Sequence, residues 1–381
     1  VLREIGDPVT VTHALRAIVA GALCLVNACT SLAHEGPPFQ ERPWPAYLGG
    51  PSRAASAPES IASDPQPIWR ASVGRGITGG PALGETVLAV AAVDRRVVLL
   101  DRATGARIWD HRVSLAIGAG PLIRDDRLFV AEQIDGGSVY ALRLTNGHEL
   151  WRTETGAVVA PLALDGDALY VATMNGAVSR LAAGRGTVSW KVKLPGAVRA
   201  APLPTPFGLV VATATDSLFL LDAATGSVKA RVATHGTVLA APALADSLVV
   251  IGTAAGRIAG LDAATLENRW SQSAGDGIVG SVAIDGGLAW ALTGRGVLCS
   301  IRLGDPGTMR SVPLGMVVRG GPSPVPGGVL VSGVSGELVL VDSSGARRWS
   351  ARVEPPLAEP AIADAHTIIA VSVRGSVVAF R

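Results

Sequence analysis

The sequence predicts an all-β fold: an eight-bladed β-propeller of four-stranded blades, with the ring closed by its own N-terminal strand. Three observations predict it. Trp recurs at positions 69, 109, 151, 190, 270 and 349, and Ala230 and Arg310 occupy the two missing beats. A second marker keeps the same spacing: Pro81, Pro121, Pro161, Pro202, Pro242, Ser281, Pro322 and Pro360. Between the markers lie short runs rich in Val, Ile and Leu, bounded by Gly, Asp and Ser, which is the pattern of strands and tight turns. A period of about 40 residues with β-type patterning points to blades around an axis.

Composition agrees. Of 381 residues, 48% are hydrophobic and 17% charged, which suits buried sheet joined by short turns. The 46 Gly and 25 Pro are spread along the chain and punctuate many short elements. A net charge of +2 gives no basic excess for nucleic acid. Cys24 and Cys29 lie in the N-terminal segment, so Cys299 stands alone in the repeats and no disulfide is expected there. The six His are scattered and no Cys-x-x-Cys occurs, so neither a metal site nor a bound cofactor is expected.

Taken in order, the chain opens with an apolar run, residues 17–26. The run is too short to span a bilayer, which needs ~20 residues, and has the length of a signal-peptide core. It ends in Val26-Asn27-Ala28-Cys29, which resembles a bacterial lipobox. The expectation is a lipoprotein signal peptide over 1–28 and lipidation of Cys29. Residues 29–67 are rich in Pro and cannot form a core, so they read as a tether. The propeller is expected over 68–381.

One repeat shows the unit. In 240–273, AAPALA is strand A, LVVIGTA strand B, RIAGLDA strand C and ENRWSQS strand D. The residue before each marker Pro is Gly or Ala except at Glu359, as expected where innermost strands crowd the axis. Asp101, Asp222, Asp262 and Asp342 recur at the C–D turn, where Asp bonds to the backbone that follows. Trp69, Trp109, Trp151, Trp190, Trp270 and Trp349 are expected to dock on the neighbouring blade. Each fully buried indole removes ~150–250 Å² from water, roughly 4–6 kcal/mol gross. Ala230 and Arg310 lack that ring, so the joints made by blades 4 and 6 are expected to be weaker. Trp290, in strand B, and Cys299, in strand C of blade 6, read as buried packing residues. The last unit has strands A to C only, and the segment around Trp69 supplies its strand D, which removes two open edges.

Leu-Asp-x-x-Thr-Gly-x-x-x-Trp, clearest at 100–109 and less perfect at 142–151, 221–230 and 261–270, resembles the tryptophan-docking motif of the pyrroloquinoline-quinone repeat family. Two groups with this fold bear on function. The lipobox, short tether and compact blades are similar in layout to BamB-type lipoproteins, which assist outer-membrane β-barrel assembly. That resemblance implies a non-catalytic scaffold, lipid-anchored on the periplasmic side of the outer membrane, with an envelope protein or barrel-assembly component as partner. The alternative is a pyrroloquinoline-quinone-dependent periplasmic dehydrogenase. Such enzymes, as the resemblance implies, carry an adjacent Cys pair, a Trp beneath the quinone and carboxylate ligands for Ca²⁺; this chain has no Cys-Cys and no long insertion to build a pocket. A recognition module for sugar or cell-wall polymer is a third reading.

Strand alternation puts B–C turns and D–A connections on one face. That face is expected to collect Arg95, Arg96, Arg199, Arg295, Arg319 and Arg374, with Glu359 as its lone entrance carboxylate. The A–B turns opposite carry Glu85, Asp125, Asp126, Asp165, Asp167, Asp246, Asp285 and Asp364. The basic face is the candidate partner-binding surface, steering an acidic partner or anionic headgroups.

Overall fold

The computed structural model describes residues 64–325, 328–353, 356–357, 359–363 and 367–381. Cys29, the expected signal peptide and most of the expected tether lie outside the described residues, as does Asp364. The described residues form eight four-stranded antiparallel sheets. Blade 1 is typical: strand A is Ala82–Leu83, B is Val87–Ala92, C is Arg96–Asp101 and D is Arg107–Arg112. Blades 2 to 7 span 122–154, 163–193, 203–233, 243–273, 283–313 and 323–352. Blade 8 takes its strands A to C from 362–380 and its strand D from Pro67–Ser72.

Burial follows from this layering. Strands B and C are almost wholly buried because each sheet is covered on both faces by its neighbours. Strand D is the outer edge, so its residues alternate between solvent and the blade interior. Its exposed positions carry Arg, Lys and Glu, which protect an open edge against pairing. Each hydrophobic cluster lies between two blades. One joins Ile369, Val371 and Val377 of blade 8 to Leu88, Val90 and Val98 of blade 1. Another joins Tyr170 and Val178 of blade 3 to Val211 and Phe219 of blade 4. At the axis, adjacent blades meet backbone to backbone. A Cβ on Gly120 would lie 2.1 Å from the Gly80 carbonyl oxygen, and one on Gly280 only 1.8 Å from the Gly321 nitrogen. That approach is why small residues precede the marker Pro.

The ring closes where the sequence places the closure. Trp69 pairs with Ala379 and Ser72 with Ser376, and Gln66 and Arg381 exchange backbone hydrogen bonds of 2.7 and 2.9 Å.

The tryptophans divide the ring in two. Trp69 Nε1 donates to the Arg102 carbonyl (2.9 Å), Trp109 to Leu144 (2.8 Å), Trp151 to Ala183 (3.0 Å) and Trp190 to Ala223 (3.0 Å). Every acceptor sits in the C–D turn of the next blade. Each ring also lies against the glycine of that turn. A Cβ on Gly105 would come within 2.5 Å of Trp69, and one on Gly226 within 2.6 Å of Trp190. The joints from 8/1 to 3/4 are therefore latched by an indole, a carbonyl and a glycine shelf.

The other joints are built differently. Blade 6 begins its strand D early, at Asp305, and lacks the Asp-x-x-Thr-Gly turn. Trp270 finds no glycine shelf there; it lies on Gly260 of its own blade and packs against the cluster shared by blades 5 and 6, with its buried Nε1 lacking a partner. Gln272 bonds to blade 6 in its place, donating to the Pro306 carbonyl at 2.9 Å. The joint after blade 4 is filled, not weakened by a void. Opposite Ala230, the glycine position is Leu266, buried in the shared cluster despite a left-handed φ of 62°. After blade 6, Val312 occupies the shelf at Gly345. Trp349 packs edge-on to Phe380, with ring centroids 5.6 Å apart.

Candidate functional site

The face formed by B–C turns and D–A connections is built by an eightfold device. In each blade the first residue of the B–C turn donates its backbone N–H to an entrance residue of the D–A connection. The pairs are Val93 to Gly76, Gln133 to Ala116, Met174 to Ala157, Ala214 to Ala197, Ala254 to Thr237, Gly294 to Gly277, Val334 to Val317, and Val373 to Pro356. The residue after each entrance position is a buried plug: Ile77, Ile117, Val158, Val198, Val238, Ile278, Val318 and Leu357. This pairing holds the turn and the connection at one end of the ring, so that equivalent positions form concentric circles.

Arg295 lies on the turn tip of blade 6, with its side chain 86% exposed and 3.9 Å from Asp276. Arg319 is exposed at the entrance of blade 7, and Arg374 is exposed on the tip of blade 8. Arg95, on the tip of blade 1, reaches the Ser114 carbonyl of the next connection (2.8 Å). Arg75, just before the blade 1 entrance, is also exposed and belongs to the same group. Arg199 is exposed but stands apart at the entrance of blade 4. Arg96 is the first residue of strand C, engaged by Asp110 (2.8 Å) and Asp94 (3.5 Å). The cations therefore cluster on blades 6, 7, 8 and 1.

Glu359 precedes the marker Pro of blade 8, where the flanking blades have Gly321 and Gly80. It is half-buried, and burial pushes its carboxyl up to about 7. Glu132 escaped the sequence reading. It is buried, at the position where blades 3, 4, 5 and 6 have Thr. Its carboxylate accepts from Leu115 N (2.5 Å), Ser138 N (3.0 Å) and Tyr140 OH (3.1 Å). Those bonds brace the longer B–C turn of blade 2, which carries exposed Ile134.

The other end of the ring holds both signs. Asp125 pairs with Arg124 and Asp126 with Arg127, at 3.3 and 2.6 Å. The C–D turns on that end add Arg102, Arg143, Arg185 and Arg302. Burial raises the carboxyl of Asp285 above the ordinary range. The Asp residues of the C–D turns are occupied by their own backbone. Asp101 Oδ1 accepts from Thr104 N and Oγ1 (2.8 and 2.7 Å), and Asp222 and Asp262 repeat the arrangement. The Arg269 bond and turn amides hold Asp262 at about 2, and the Ser344 hydroxyl and neighbouring donors do the same for Asp342. These carboxylates are committed to turns. Among the described residues no cluster of His, Cys, Asp and Glu is arranged to hold a metal. Trp290 and Cys299 are buried, and the Cys299 thiol is pushed up by that burial.

The sequence and fold can now be compared with known proteins. A family model described as outer membrane protein assembly factor BamB matches residues 60–161, 135–206, 208–307 and 275–381. A BamB from Burkholderia pseudomallei is 31% identical over 144 residues, 37% of this chain and 36% of that protein. The serine/threonine-protein kinase AfsK of Streptomyces coelicolor is 30% identical over 155 residues, 40% of this chain and 18% of the kinase. The chain thus matches well under two thirds of the length of either relative. Among solved structures, BamB from Moraxella catarrhalis aligns with a TM-score of 0.69 at 16% identity, covering 83% of this chain and 99% of that one. Quinohemoprotein alcohol dehydrogenase from Comamonas testosteroni aligns with a TM-score of 0.71 at 12% identity, covering 89% of this chain and 80% of that one. At such identities the structural likeness shows the fold alone.

Proposed function

Because the chain belongs to the family of the outer membrane protein assembly factor BamB, we propose that it is a non-catalytic scaffold on the periplasmic side of the outer membrane, assisting assembly of outer-membrane or other envelope proteins. In this reading Cys29 carries the lipid, residues 29–67 tether the ring, and the basic end receives the partner. The observation that carries it is the family match around the whole ring, on a body whose turns are short and whose recurrent carboxylates are committed to those turns. Exposed arginines add little to folding, about 0–1 kcal/mol per pair, yet set the rate and orientation of encounter.

Two measurements test the proposal. After cross-linking in cells, full-length tagged protein should retrieve β-barrel assembly components from solubilised outer membranes. The dehydrogenase reading is tested by titrating purified protein with pyrroloquinoline quinone and Ca²⁺. A bound-quinone absorbance band with alcohol-dependent dye reduction would overturn the scaffold reading.

A further inference from the structure

The outer rim of the ring is uneven in charge. The chain has three lysines, Lys191, Lys193 and Lys229, and all stand on strand D of blades 3 and 4, Val188–Lys193 and Val228–Ala233. Arg231 holds on blade 4 the place of Lys191 on blade 3: Lys191 pairs with Ser179 of its strand C, and Arg231 with Phe219. All four residues are exposed. Their hydrogen bonds go to neutral acceptors. Lys193 Nζ donates to the Asn175 carbonyl, Lys229 Nζ to the Phe207 carbonyl (2.9 Å) and Arg231 to Ser217 Oγ (3.1 Å). None of the four forms an ion pair among the described residues. Neither strand carries a carboxylate, and the sequence has no Asp or Glu between Asp167 and Asp216. The carboxylates of the two blades lie on turns. Asp165 and Asp167 belong to the A–B turn of blade 3, two strands inside the rim. Asp216, on the B–C turn of blade 4, accepts from Thr237 Oγ1 (2.5 Å), and Asp222 is committed to the Thr225 amide and hydroxyl. The strip has edges. On the rim of blade 2, Arg152 shares its strand with Glu149 and Glu154. On the rim of blade 5, Ser271 takes the place of Lys191, and Arg269 is paired with Asp262.

A charge of either sign guards an open edge, so edge protection does not account for four unpaired cations on two adjacent rims. Each of the two strands also opens with an exposed valine, Val188 at 48% and Val228 at 50%. The same position is Arg107, Glu149, Asn268 and Arg347 on blades 1, 2, 5 and 7. We propose that this strip is where the ring rests on a membrane, with the lysines and Arg231 against anionic phospholipid headgroups and the two valines at the headgroup boundary. Two features select a lipid surface over a protein. Lysine is a flexible, hydrated point charge suited to a diffuse layer of headgroups, whereas the fixed carboxylates of a protein are matched by the planar fork of arginine, the cation the rest of the chain uses. The strip also has the extent of a tangent plane. Neighbouring blades of an eight-bladed ring are about 45° apart, so a flat surface that meets two rims departs from the third. The third rim on either side is where the run of unpaired positive charge ends. Apolar side chains among the lysines deepen such a contact. The proposal rests on the placement of the chain beside the outer membrane and adds how the ring lies there. Contact by the rim puts the ring axis parallel to the membrane and leaves both ends open to a protein partner. Residues 29–67 could reach up to ~3.3 Å per residue, so their length does not restrict which rim faces the membrane.

The test uses the full chain carrying Cys29→Ala, so that no lipid is attached, and vesicles of phosphatidylcholine alone or mixed with phosphatidylglycerol. Co-sedimentation compares this parent with three double variants: Lys191→Glu with Arg231→Glu, Val188→Ser with Val228→Ser, and Arg295→Glu with Arg319→Glu as the control away from the strip. All share one N-terminal segment, so differences among them report the ring. The parent should bind the phosphatidylglycerol vesicles about tenfold or more tightly than phosphatidylcholine, and charge reversal on the rim should remove most of that preference. The valine variant should lose about threefold, and the control less than about twofold. Binding by the parent should weaken at high salt. Unchanged melting temperatures establish that each variant is folded. A parent that does not distinguish the two kinds of vesicle, or a control that loses as much as the rim variant, would overturn the proposal. The second arm is retrieval of β-barrel assembly components after cross-linking in cells. Retrieval by wild type, with no vesicle binding by the parent, would leave the scaffold reading standing and overturn the membrane contact. Vesicle binding that depends on the rim, with no retrieval, would support the contact and count against the scaffold reading. Loss of retrieval by the rim charge variant, with its vesicle binding intact, would assign the strip to an acidic protein surface and overturn the lipid assignment.

Discussion

Replacing Trp190 and Trp270 by Phe, one at a time, isolates what the indole N–H does at a latched and an unlatched joint. Both changes remove the same atoms and keep an aromatic ring, so the lost contact area cancels to first order. The hydrogen-bond terms do not. Trp190 is 9% exposed and its Nε1 donates to the Ala223 carbonyl at 3.0 Å. Removing that donor forfeits about 1 kcal/mol and strands a carbonyl between blades. Trp270 Nε1 is buried without a partner, so removing it relieves a desolvated donor, a gain of about 1–3 kcal/mol. Trp190→Phe should therefore destabilise by about 2–3 kcal/mol once the lost ring area is included, and Trp270→Phe should stay within about 1 kcal/mol of wild type. Urea unfolding reads the difference as a shift in midpoint at constant slope. Equal losses in the two variants would refute the argument, because they would show that the indole contributes through its area alone and that the latch adds nothing.

Other expectations follow from single groups. Glu359 is carried to about 7 by burial, above its ordinary 4.5, so the folded state favours the protonated acid. Stability should be fully present below the ordinary value and decline as pH rises through about 7; Glu359→Gln should remove the decline, melting higher than wild type at pH 8 and alike at pH 4. Glu132→Ala removes a buried acceptor of three hydrogen bonds and should cost about 3 kcal/mol, with faster proteolytic nicking at residues 133–137. Cys29→Ala should move the protein from the membrane fraction to the soluble one; a variant that still sediments after a salt wash would sink the anchor assignment.

Much of the fold is legible in one dimension because a propeller repeats one unit. Spacing of Trp and Pro counts the blades, and the unmatched strand around Trp69 announces the closure, since a ring must pair its last edge. The Asp of the C–D turn is equally legible, being satisfied by atoms two to four residues away. The latch is only half legible. The sequence shows where an indole is missing, but Leu266 and Val312 fill the gaps from the next blade or from two residues further along the strand. Trp270 matches the motif and still fails to latch, because its acceptor turn belongs to blade 6 and is built otherwise. The same limit governs the basic end. Alternation of strands puts the arginines on one face, and that is a local rule. Their grouping on blades 6, 7, 8 and 1 depends on the ring bringing residues near the two ends of the propeller into contact. Sequence determined the repeat, the closure and the end of the ring on which each turn lies, each set by local bonding and periodicity. Tertiary structure alone decided which joints are latched and which side chains share a surface, because those depend on contacts between blades that no single repeat contains.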